Sequence, residues 1–152
     1  YGKGVLAVAV PSDAVVLQPR YVGGVADEWA ALVTALREPI GCPALRSLVQ
    51  PGQTVAIVHT DITRATPNDR ILPPLLAELE SAGIGRGDIT LINALGTHRP
   101  QTPEELSGML GAEVVERYRC LQHDGHDDAQ LVHVGRTSFG STGIFWRRTS
   151  GS

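Results

Sequence analysis

Cysteine is scarce. Cys42 and Cys120 are the two in 152 residues, which fits a reducing, cytoplasmic compartment better than a disulfide scaffold. Positive charge is not concentrated: the 13 lysines and arginines are scattered and the net charge is −3. There is no basic stripe, which argues against a nucleic-acid partner. The apolar runs fall far short of a bilayer span, which argues against membrane insertion. Internal repeats and low-complexity segments are absent, and no signal peptide is visible. The first residue is Tyr1 rather than Met, so a trimmed N-terminus is expected, and a lost targeting segment stays open. What is present is ordinary for a globular protein: 42% hydrophobic and 19% charged residues, enough for one domain with a real core.

The pattern along the chain alternates strand and helix. Val5 to Val10 and Ala14 to Leu17 are β-branched runs around a Pro11-Ser12-Asp13 turn, read as an edge hairpin. Asp27 to Arg37 spaces Trp29, Leu32, Val33 and Leu36 along one helical face, and Cys42 to Val49 suggests a short helix. Thr54 to Val58 is short, continuous and apolar, as strands buried on both faces tend to be. A helix follows from about Arg70 to Ala82, with its stripe at Leu72, Leu75, Leu76 and Leu79. Pro73 and Pro74 place its true start near Leu72, and Gly83 its end. Asp88 to Leu95 is a second buried strand. Thr102, Pro103 and Glu105 spell a capping box that opens a helix ending near Gly111. A short helix and a strand at Arg117 to Leu121 follow, then a strand at Leu131 to Val134. This order predicts an α/β, Rossmann-like three-layer domain with a mostly parallel sheet and an N-terminal β-hairpin.

Two polar clusters sit just after the two buried strands: Asp61-Ile62-Thr63-Arg64 and Gly96-Thr97-His98-Arg99-Pro100. If those strands are parallel neighbours, both clusters open into one crevice at the carboxyl ends, where open α/β sheets bind ligands. Arg64 offers a planar fork for a carboxylate or phosphate. Thr63 can give or take one hydrogen bond, and Asp61 could orient the arginine or hold a hydroxyl. A loop salt bridge plus a helix cap is the competing reading. His98 can shuttle a proton near neutral pH, or it can simply pack on the surface. Arg99 could point either way, and Arg136 and Ser138 are further candidates for the crevice. His123 and His126 lie among carboxylates, but with no cysteine pair or distant third histidine a polar loop explains them better than a metal site. The glycines at 83, 85 and 87 mimic a phosphate loop but follow a helix rather than a strand, the wrong context. The residues alone thus suggest a crevice for a small anionic ligand and name no reaction.

Several segments together resemble a known family. They are Tyr1-Gly2-Lys3-Gly4, Asp61-Ile62-Thr63-Arg64, Leu95-Gly96-Thr97-His98-Arg99-Pro100, Arg117-Tyr118 with His123-Asp124, and Val134-Gly135-Arg136-Thr137-Ser138. In order, they look like the N-terminal domain of the nickel-dependent lactate racemases over residues 1–140. The resemblance implies racemisation of a 2-hydroxy acid by proton plus hydride transfer with a nickel-pincer nucleotide. It places His98 on one of the family's two proton-transferring histidines, and Asp61 and Arg64 on residues lining the same pocket. Thr63, Arg99, Arg136 and Ser138 are carried as cofactor- or substrate-binding candidates, and no metal ligand is assigned. The family's second catalytic histidine, its cofactor-tethering lysine and its metal-binding histidine lie beyond the matched region. The cofactor is therefore expected to be anchored mainly by an absent C-terminal domain. Residues 141–152 do not continue the pattern and read as an atypical or truncated tail. The chain alone is expected to hold half a site and not to turn over.

Two other readings stay open. One is a non-catalytic Rossmann-like module that binds a nucleotide or a small organic acid. The other is a fragment whose exposed faces normally pack on the absent domain. An apolar patch around Ile144, Phe145 and Trp146 would support that second reading, with self-association of the fragment.

Overall fold

The computed structural model describes residues 4–139 and 142–146. Its centre is a parallel sheet of β1 (Val55–Thr60), β2 (Ile89–Ala94) and β3 (Arg119–Gln122), in the order β1-β2-β3. The register runs from Val55 opposite Ile89 to Thr60 opposite Ala94, and Leu91 lies opposite Cys120. Helices α1 (Glu28–Arg37), α2 (Leu45–Leu48), α3 (Asn68–Ser81), α4 (Pro103–Leu110) and α5 (Ala112–Arg117) complete this part. The chain is α/β with a parallel sheet, as its alternating pattern predicts.

Side chains alternate across a strand, and one face of the sheet meets the helices. Leu72, Leu76 and Leu79 of α3 pack with Ile84, Ile89, Leu91, Leu110 and Val114, and Val55, Ile57 and Cys120 join from the same sheet face. Each fully buried leucine contributes about 1.5–3 kcal/mol. The other face is open at Ala56 and Ala94, and Val58 there is 66% exposed. The described residues therefore form two layers, not the three expected. The crossovers β1-α3-β2 and β2-α4-α5-β3 put their helices on one side, because strands joined in sequential order by same-handed crossovers do so.

The expected N-terminal hairpin does not form. The turn is there, with Ala14 N–H donating to the Pro11 carbonyl at 3.1 Å, but its flanks carry no strand. Val5, Val8, Val15 and Leu17 are all exposed. A lone two-stranded ribbon with no core to cover is marginal in water. A separate antiparallel pair, β4 (Leu131–Arg136) with β5 (Thr142–Trp146), follows the sheet and carries a bulge between His133 and Gly135. The side chains of Ile144, Phe145 and Trp146, and so the proposed apolar patch, lie outside the described residues.

Helix α3 starts at Asn68, a turn earlier than its prolines suggest. The buried Asn68 side chain donates to the Thr60 carbonyl at 3.4 Å, which fastens the helix start to the end of β1. Pro73 and Pro74 then fall inside the helix, and the carbonyls of Asp69 and Arg70, one turn back, lose their usual donors. Both of those residues are exposed, so water can serve instead. The helix ends in a Schellman motif: Ile84 N–H reaches the Leu79 carbonyl at 3.1 Å and Gly83 N–H the Glu80 carbonyl at 3.0 Å. Gly83 has φ +92°, and a Cβ there would stand 2.7 Å from Pro51 Cγ. Glu78, buried in α3, binds Arg37 of α1 at 2.6 Å and Arg46 of α2 at 3.0 Å, joining three helices.

Candidate active site

β1 and β2 end side by side, so the loops leaving them face each other. Together they line a cleft of about 360 Å³ that includes Asp61, Arg64, Gly96, Thr97 and His98, within the range of small-molecule sites. His98 Nδ1–H donates to Asp61 Oδ2. Asp61 is 3% exposed, and its other carboxylate oxygen accepts from the Thr63 hydroxyl at 2.7 Å and the Thr63 N–H at 3.3 Å. These bonds, from His98 first and then Thr63, hold the Asp61 carboxyl below its ordinary pKa. A carboxylate on Nδ1–H fixes the neutral ring in the tautomer whose Nε2 is the free acceptor. Such a pair can act as a general base with an orienting carboxylate.

Asp61 does not orient Arg64, which was one of the roles open to it. Among the described residues the Arg64 guanidinium makes no ion pair. It lies on the same cleft as His98, a cation available to an anion. Thr63 serves Asp61 directly. Arg99, expected to point either way, turns from the cleft and forks onto Glu105 at 2.8 and 2.7 Å. Glu105, which also takes the Thr102 N–H of the capping box, is pulled down to about 2. Arg136 lies at the end of β4 and Ser138 in the turn beyond it, and neither lines the cleft.

Sequence reading missed His59 and three amides. His59, at the end of β1, is 6% exposed, and its Nδ1–H donates to the Thr60 carbonyl at 3.0 Å. Burial lowers its pKa and keeps the ring neutral. Asn93, its register neighbour on β2, is 0% exposed and bonds Gln101 and Gln122. A histidine and an asparagine ending apolar strands were the signal available for them. Among the described residues no group of three or more His, Cys, Asp or Glu side chains is arranged to hold a metal. Cys42 and Cys120 are free thiols. No helix among the described residues is long and apolar enough to cross a membrane.

A parallel sheet brings a carboxylate-oriented imidazole, and a guanidinium with no ion pair among the described residues, to one cleft of an α/β domain, the groups that acid–base work on a small anion would use. The family model for the lactate racemase N-terminal domain matches residues 1–148, and the chain belongs to that family. It is 33% identical over 113 residues to the lactate racemase of Lactiplantibacillus plantarum, covering 74% of this chain and 26% of that protein. It is 27% identical over 140 residues to the lactate racemase of Thermoanaerobacterium thermosaccharolyticum, covering 89% of this chain and 32% of that one. The solved structure of the lactate racemase apoprotein from Thermoanaerobacterium thermosaccharolyticum superposes with a TM-score of 0.68 at 27% identity, over 79% of this chain and 28% of that one. The chain thus spans between a quarter and a third of the length of these relatives.

Proposed function

We propose that this domain supplies the acid–base half of a 2-hydroxy-acid racemase site of the lactate type. The observation that carries the reading is the His98–Asp61 pair sharing a cleft with an Arg64 that has no counter-ion among the described residues. Arg64 holds the substrate carboxylate, bidentate in the usual way of a guanidinium. His98 Nε2 takes the proton of the 2-hydroxyl of one enantiomer, as one of the two proton-transferring histidines that the resemblance implies. Asp61 keeps the ring turned toward the substrate and stabilises the imidazolium as it forms, and Thr63 keeps Asp61 in place.

The carbon-bound hydrogen of a hydroxy acid is a poor acid, so base catalysis alone is costly. A nickel-pincer nucleotide, when bound, supplies the hydride acceptance that avoids this cost. The residues present fit part of that requirement. They offer an imidazole and a guanidinium but, among the described residues, no cluster of three or more metal-ligating side chains, so we assign the metal and the cofactor tether to the part of the relatives that this chain does not span. Arg64 suits the cofactor phosphate as well as a substrate carboxylate. The free thiols of Cys42 and Cys120 support a reducing, cytoplasmic setting.

The test is racemisation of one lactate enantiomer by the protein carrying both this domain and the remaining part, loaded with cofactor. Conversion is expected there and not with this chain alone. His98→Ala in the loaded protein should abolish conversion while substrate still binds. Full activity in His98→Ala would overturn the assignment.

A further inference from the structure

The loop at 96–101 carries His98 but has no regular structure of its own. Its hold comes from outside it. Gln122, the last residue of β3, grips the Gln101 backbone twice. Its Oε1 accepts from Gln101 N–H at 2.8 Å, and its Nε2 donates to the Gln101 carbonyl at 2.9 Å. Asn93 donates its amide to Gln101 Oε1 and, at 3.4 Å, to Gln122 Oε1. Gln101 in turn donates Nε2 to the Arg99 carbonyl at 3.1 Å, one residue from His98. At the loop's other end Gly125 lies so close that a Cβ on it would stand 2.6 Å from the Gly96 carbonyl oxygen. The loop is therefore bonded on one side of His98 by the end of β3 and closely packed on the other by the segment just after it.

Apolar side chains would fill this space as well, and buried polar groups are costly unless paired. What an apolar residue cannot do is bind both the N–H and the carbonyl of a single residue. Ordering a loop costs conformational entropy at every residue, and without such a grip the imidazole would share its time among several directions. We propose that Gln122, acting through Gln101 and Asn93, is a positioning residue that keeps the His98 imidazole on the Asp61 carboxylate. The geometric part of this stands alone, and its catalytic consequence rests on the racemase reading above.

The test follows the Asp61 carboxyl by carbon NMR across pH in this chain. Gln122→Met keeps the length and removes both bonds. The Asp61 midpoint should rise toward the ordinary aspartate value in Gln122→Met and in His98→Ala, and Gln122→Met should add nothing once His98 is alanine. Gln122→Glu keeps the acceptor for Gln101 N–H and should give a smaller rise. A folded Gln122→Met with the wild-type midpoint overturns the proposal, and so does an equal rise in the His98→Ala background. Should Gln122→Met fail to fold, Gln122→Glu decides the proposal, and an unmoved midpoint in that variant overturns it. In the cofactor-loaded longer protein, Gln122→Met should lower kcat about tenfold to a hundredfold and leave KM within about twofold, because it leaves Arg64 untouched. If that protein does not racemise at all, the functional reading fails, and the NMR result still decides the positioning role.

Discussion

Asp61 is kept ionised by the donors around it, and the sign of its pH effect follows. Its folded pKa is depressed from 3.8 by His98 and then Thr63. It therefore contributes stability that is fully present above its unfolded pKa and is lost as pH falls through the folded one. Asp61→Asn should make folding less sensitive to acid below about pH 4, as measured by chemical denaturation at stepped pH. Glu105 behaves alike: its contribution is present above 4.5 and is lost as pH falls toward about 2. For catalysis by the cofactor-loaded longer protein, Arg64→Ala should raise KM for the hydroxy acid with a smaller change in kcat, and His98→Gln should lower kcat by roughly 10²- to 10⁴-fold; steady-state racemisation assays check both. The sequence exposed His98, Asp61 and Arg64 because they follow buried strands. It could not show that Asp61 serves His98 rather than Arg64, because that choice depends on side-chain directions across 37 residues. Arg99 was ambiguous for the same reason, and Glu105 decides it.

Helix signals were legible where their causes are local. The Thr102-Pro103-Glu105 box opens α4 as read, with Glu105 N–H donating to Thr102 Oγ1 at 3.2 Å. Thr102→Ala should cost about 1 kcal/mol, seen as a lower urea midpoint with an unchanged slope. Gly83→Ala should cost about 1–2 kcal/mol for the left-handed backbone alone, and the approach of Pro51 adds to that; thermal and urea unfolding measure it. The prolines of α3 misled because a tertiary bond, from Asn68 to Thr60, starts the helix before them. The amides Asn93, Gln101 and Gln122 were not legible, because their partners lie up to 29 residues away and are mostly backbone or other amides.

The sheet lets the whole molecule be read as half-covered. Apolar strands predicted burial on both faces, yet the described residues cover one, and Val58 faces outward. The β-branched N-terminal runs likewise predicted a ribbon that finds no partner. Amides in residues 5–26 should exchange with deuterium far faster than those of β1 and β2, because backbone without ladder bonds or buried contacts opens at little cost; mass-spectrometric exchange reads this directly.

Thr60 lies opposite Ala94, and the two halves of the acid–base pair begin just beyond them. A slip of one residue between β1 and β2 would slide one rim past the other by about 3.3 Å and turn Val55 and Ile57 outward. A mis-threaded chain could stay compact, yet it would separate the imidazole from its carboxylate. The contact between His98 and Asp61 is thus tied to correct threading of the sheet, and a chain that folds wrongly loses the pair altogether.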